Sequence, residues 1–180
     1  MQPSSVQESR AVPHRQARLH RSGSRGNSAC RSMRCLQLCP LWRRAQSNAY
    51  APFDQVYTSP LSRCTRLATY CGFPEAIHDP RILELNFGNW EMQRFDEIKD
   101  SRLQEWFDDY LNVPATNGES FCMQYKRVAN FLDELKTKPY QRVAVFTHGG
   151  VLACAQIYAG VLELENAFTS IAPYGEIVVI

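Results

Sequence analysis

His148 stands in Thr147-His148-Gly149-Gly150, directly after one apolar run and before another. A histidine at that place ends a buried strand and opens a helix, where free backbone N–H groups and the helix dipole favour an anion. The two glycines let a ligand approach the backbone closely, so Gly149 is a candidate phosphate contact beside His148. A core histidine satisfying a single hydrogen bond is the competing reading. Arg63 follows the short apolar stretch Val56-Tyr57-Thr58 and the turn Ser59-Pro60. A guanidinium at a strand's carboxyl end can hold phosphate oxygens in a bidentate fork, although a solvated surface arginine has the same sequence context. Arg66, one turn later, reads as solvated. Glu84 lies among Ile82, Leu83, Leu85 and Phe87. Apolar surroundings disfavour the charged carboxylate and so suit a general acid, whereas the bland reading is a solvent-facing Glu on an edge strand.

These residues need elements to position them. Phe53 to Thr58 reads as a strand stopped by Ser59-Pro60, and Leu61, Cys64, Leu67, Ala68 and Cys71 then recur at helical spacing. Leu83 to Phe87 alternates apolar residues before Gly88 and reads as a strand or an extended loop. Leu103, Trp106, Phe107, Tyr110 and Leu111 suggest a short helix closed by Pro114. Phe121, Tyr125, Val128, Leu132 and Leu135 predict a long amphipathic helix that starts after Asn117-Gly118-Glu119-Ser120 and ends before Pro139. Arg142 to Thr147 is a continuous apolar run, expected of a strand buried on both faces, followed by a helix from Val151 to Val161. Glu176 to Ile180 is a last strand candidate. Alternating strands and helices predict an α/β fold, a three-layer αβα sandwich around a mainly parallel sheet with ligands at the strands' carboxyl ends.

The chain has 180 residues and is 44% hydrophobic, enough for one domain with a real core. Its net charge of +2 hides an asymmetry. Residues 1–49 carry nine Arg, no Lys and a single acid, for +8, whereas residues 50–180 carry eleven basic and seventeen acidic residues, for −6. The first stretch has no apolar period to pack and is expected to be disordered or non-native. An Arg-rich transit peptide, a basic nucleic-acid arm and a misassigned start or reading frame are its three readings, the last preferred. No apolar run is long enough for a membrane helix, and seven irregularly spaced Cys fit small buried hydrophobes in a reducing cytoplasm. Cys30, Cys35 and Cys39 lack a Cys-x-x-Cys pair and a fourth ligand, which argues against zinc.

Four stretches taken together resemble a known family. Val56-Tyr57-Thr58-Ser59-Pro60-Leu61-Ser62-Arg63-Cys64, Leu83-Glu84-Leu85-Asn86-Phe87-Gly88-Asn89-Trp90-Glu91, Gly118-Glu119-Ser120 and Phe146-Thr147-His148-Gly149-Gly150-Val151 resemble, in order, the signatures of the histidine phosphatase superfamily. The compact size and the wording around Glu84 most resemble its α-ribazole phosphatases of cobalamin synthesis. The resemblance implies a phosphomonoester hydrolase that works without metal or cofactor through a phosphohistidine, on a small phosphorylated substrate. By motif, Arg63, Gly149 and His148 would hold the phosphoryl group. Glu84 would protonate the leaving alkoxide and then help to activate water.

The chain departs from this pattern at one point. The family's first strand ends in an Arg-His motif that supplies the nucleophile, and residues 1–49 contain no such motif. His14 in Pro-His-Arg and His20 in Leu-His-Arg follow no apolar strand. The sheet is therefore expected to lack its central first strand, and the chain to be inactive or nearly so. A broad-specificity phosphatase, a phosphoglycerate mutase-like enzyme and a phosphate-ligand binder without turnover remain as alternatives. Mutases of this family usually carry longer insertions, and nucleic-acid binding rests on the basic arm alone.

Overall fold

The computed structural model of the chain describes residues 53–169 and 171–180. The expectations for residues 1–49, including His14, His20 and the three Cys found there, lie outside the described residues.

Strand β1 spans Gln55–Thr58 and stops at Ser59-Pro60, because proline has no N–H for a ladder. Helix α1, Ser62–Tyr70, ends at Gly72, whose φ of 92° lets Phe73 N–H reach back to Ala68 O at 2.9 Å. Strand β2 is the short Ile77–His78, and β3 is Val143–Phe146. The three strands pair in parallel in the order β2-β1-β3, with Tyr57 opposite Ile77 and Val145, and Thr58 opposite Phe146. Parallel neighbours need long crossovers. From β1 to its neighbour β2 this is α1, and the chain then passes from β2 to β3, on the other side of β1, through α2, Arg102–Asp108, and α3, Phe121–Lys136.

Alternation along the strands assigns the two faces. Val56 and Phe146 pack with Cys64, Ala68 and Cys71 of the α1 side. Tyr57, Val143 and Val145 pack with Phe121, Val128 and Phe131 of α3 and with Val151, Ala153 and Cys154 of α4, Gly149–Tyr158. Helices thus cover both faces of an all-parallel sheet, as expected of an α/β layered fold. The Ser120 hydroxyl caps α3 by accepting from Met123 N–H at 3.4 Å.

Two expectations need revision, and Leu83 to Phe87 takes the second of its two readings. Glu176 to Ile180 forms no strand, and Val179 and Ile180 are exposed, since no described strand offers the run a ladder. In β3 only Phe146 is buried and Val143 to Val145 are half-buried, so the run is less enclosed than its composition suggests. The stretch Leu83 to Phe87 is an extended loop, with side chains in place of a ladder. Leu85 N–H donates to the carboxylate of Glu84, Asn86 N–H to that of Glu119 and Phe87 N–H to that of Glu91. The two-residue β2 carries no apolar pattern, and both of its residues are exposed.

Candidate functional site

The register of β1 and β3 brings their carboxyl ends together. Ser59 N–H donates to Phe146 O at 2.8 Å, just beyond the last paired residues, so Ser59 and Thr147-His148 emerge side by side. His148 is the N-cap of α4 and is buried, with 6% of its surface exposed. Its two ring nitrogens have different partners. Nδ1 accepts from Arg63 Nε at 3.1 Å, and Nε2 lies 2.7 Å from the hydroxyl of fully buried Ser59. A guanidinium can only donate, so Nδ1 is unprotonated and Nε2–H donates to Ser59 Oγ. Burial, with the nearby charges of Arg63 and Arg127, pushes the His148 pKa down from 6.5 to about 4, in agreement with the neutral ring. The Cys64 sulfur lies 3.5 Å from Nε2, but burial pushes its thiol up to about 11 and the Cys154 thiol to about 12. Neither thiol is a nucleophile at neutral pH.

Glu84 approaches the start of α4. A methyl group on Gly150 would stand 2.5 Å from Glu84 Oε1, so the glycine is what admits the carboxylate two residues from His148. Gln124 of α3 donates to that oxygen from Nε2 at 3.2 Å. Thr147 donates its hydroxyl to Ile82 O at 2.9 Å, tying the end of β3 to the loop that carries Glu84. Arg63 and His148 therefore touch, and Glu84 converges on the residue after Gly149. Gly149 itself is half-buried under Ile171, whose Cγ2 would lie 2.6 Å from an added Cβ.

The residues that sequence reasoning missed hold the Glu84 loop in place. Arg127 of α3 donates to the carbonyls of Arg81, Leu83 and Glu84 at 2.7 to 3.0 Å. It also forks onto both oxygens of Glu119 at 2.9 Å. Glu119 is the middle residue of the Gly-Glu-Ser stretch, and Gly118 serves packing, because a side chain there would overlap Asn86 O and Gly88 N. The spacing of Glu119 and Arg127 on either side of a helix start is a signal that could have found the pair. Ser59 is marked only by its place before Pro60.

A cavity of about 260 Å³ is lined by Pro80, Leu83, Glu84, Asn86, Glu119 and Arg127. A larger, more open depression of about 450 Å³ lies along Trp90, Ile98 and Lys99 and includes none of Arg63, Glu84 or His148. Glu84 lines the smaller of the two, and neither is lined by Arg63, Gly149 or His148. Among the described residues no helix is long and apolar enough to cross a membrane, and no group of three His, Cys, Asp or Glu could hold a metal ion.

Comparison with known proteins bears on family and fold. The sequence profile of the histidine phosphatase superfamily (branch 1) matches residues 41–180. The adenosylcobalamin/alpha-ribazole phosphatase of Salmonella typhimurium is 31% identical over 112 residues, which are 58% of this chain and 55% of that protein. Phosphoserine phosphatase 1 of Hydrogenobacter thermophilus is 29% identical over 111 residues, 58% of this chain and 53% of its own length. The chain thus spans about half the length of the curated relatives it matches. The crystal structure of the alpha-ribazole phosphatase from Shigella flexneri superimposes with a TM-score of 0.67 at 23% identity, covering 79% of this chain and 73% of that one. That likeness is one of fold.

Proposed function

Because the chain belongs to the histidine phosphatase superfamily (branch 1), we propose that it binds a phosphomonoester, α-ribazole 5′-phosphate foremost, between Arg63, Gly149 and His148, with Glu84 as its proton donor. The observation that carries this reading is the 3.1 Å contact of Arg63 Nε with His148 Nδ1 at the carboxyl ends of adjacent parallel strands. A phosphoryl group entering there replaces a bond between the Arg63 cation and a neutral ring by bonds from both side chains to an anion, at the amino end of α4. In this reading Glu84, whose Oε1 lies against Gly150, protonates a leaving alkoxide and later takes a proton from water. Arg63 and His148 stabilise charge that develops on the phosphoryl oxygens.

Turnover needs a nucleophile as well, and the Arg-His motif that supplies it in the family is absent from residues 1–49. The chain is accordingly read as a phosphate-ester binder whose hydrolysis is slow or absent. Calorimetric titration of the full chain with phosphate and with vanadate tests the reading. Arg63→Met and His148→Ala should each weaken binding by at least about tenfold, the worth of one charge-assisted hydrogen bond. Binding that both variants leave intact, or no binding by the parent chain at millimolar ligand, would overturn it. Competition between α-ribazole 5′-phosphate and phosphoserine then ranks the substrate classes that the two kinds of relative suggest.

A further inference from the structure

Gln124 occupies a core position of α3. Phe121, Val128 and Phe131 share its buried face, and Gln124 itself is fully buried. An amide at such a place is costly unless its donor and its acceptor are both satisfied. Only half of this one is satisfied. Nε2 donates to Glu84 Oε1 at 3.2 Å, while Oε1 has no hydrogen-bond partner among the described residues. Both amide atoms lie 3.1 Å from where a methyl on Gly150 would be, beside the Glu84 oxygen, so a half-turn of the amide exchanges N and O in place.

We infer that Gln124 is the partner of Glu84 in both of its protonation states, donating to the carboxylate through Nε2 and, after the half-turn, accepting from the carboxylic acid through Oε1. The orphan acceptor is the half of the amide that the acid form uses. Glu84 is then hydrogen-bonded to Gln124 both as the resting acid and as the carboxylate left after transfer. To pass its proton to a leaving group the carboxyl turns away from Gln124 Oε1, and Nε2 then takes over as donor. Gln124 is thus a positioning residue, and the inference rests on the proposed role of Glu84. The other titratable or charged groups that face Glu84 are Arg127, ion-paired with Glu119, from the α3 side, Cys154 from α4 and Cys64 from α1, with His148 two residues before the Gly150 that Glu84 meets.

Site-resolved NMR titration of the unliganded full chain tests the inference without any phosphate present. The side-chain amide signals of Gln124 should move with the same midpoint as the Glu84 carboxyl carbon, and Glu84→Gln should abolish that step. Gln124→Met keeps the length and apolar contacts but offers neither donor nor acceptor. It should raise the Glu84 midpoint, because the charged form loses the stronger bond. Gln124 signals that stay still in the unmodified chain while Glu84 titrates would overturn the inference, whether or not the variant folds. An unchanged Glu84 midpoint in folded Gln124→Met would do the same. Failure to bind phosphate bears on the phosphatase reading alone, since neither titration uses it.

Discussion

The guanidinium of Arg63 donates from Nε to His148 Nδ1 at 3.1 Å, across 85 residues of sequence, and together with the larger effect of burial keeps the histidine neutral. A dianion that draws Arg63 onto itself removes that donor and favours the imidazolium instead. Binding should therefore take up protons. Sulfate is the cleanest probe, because it stays dianionic across the neutral range. Calorimetry at pH 6 in buffers of different ionisation enthalpy should give an uptake between zero and one proton per sulfate, lost in His148→Asn. Sulfate binding with no proton uptake would mean that His148 does not face the anion.

The same histidine makes stability depend on pH. Its folded pKa, about 4, lies below the 6.5 of the exposed side chain, so between these values the unfolded chain holds more protons. Stability is fully present above pH 6.5 and falls as the pH drops toward 4, by at most about 1.4 kcal/mol per pH unit for one group. Asp100, held low by the hydroxyl of Thr116, the backbone of Arg102 and the indole of Trp90, acts below this window. Denaturant titrations at pH 7 and pH 5 should differ less in His148→Gln than in the parent chain.

Arg127 replaces a strand ladder with one side chain. Arg127→Met strands the carbonyls of Arg81, Leu83 and Glu84 and leaves Glu119 unpaired, at a site where both ionic partners are about one-fifth exposed. The expected loss is about 2–3 kcal/mol, below that of a fully buried pair. Arg127→Lys keeps the charge without the fork and should recover part of it. Urea unfolding of the three chains ranks them, and a Met variant as stable as the parent would contradict the clamp.

Arg63 and His148 are legible in the sequence because each follows an apolar strand, and parallel strands leave their carboxyl ends on one edge of the sheet. The long helix α3 is legible because Phe121, Val128 and Leu135 keep its period. Gln124 breaks that period and so conceals its own burial, which depends on a carboxylate 40 residues away. Arg127 reads as a solvated charge until the loop it holds is in place. The Glu176 to Ile180 run reads as a strand because its composition suits one, but a strand needs an edge to pair with, and composition does not supply it.

A nucleophile can be supplied to test the whole arrangement. Among the described residues β3 pairs only with β1, and its end carries His148. A strand joining the other edge of β3 in parallel would end beside that histidine. Replacing residues 1–49 by a segment whose strand ends in Leu-Val-Arg-His-Thr should therefore bring hydrolysis of p-nitrophenyl phosphate and of α-ribazole 5′-phosphate. His148→Ala in that chimera should cost about 10²–10³ in rate, as loss of an oxyanion donor does. Glu84→Gln should slow the alkyl ester far more than the nitrophenyl ester, whose leaving group needs no proton. Formation of an acid-labile phosphoenzyme by the unaltered chain is the opposing outcome. It would mean that His14 or His20 attacks phosphorus, and that residues 1–49 belong to the site.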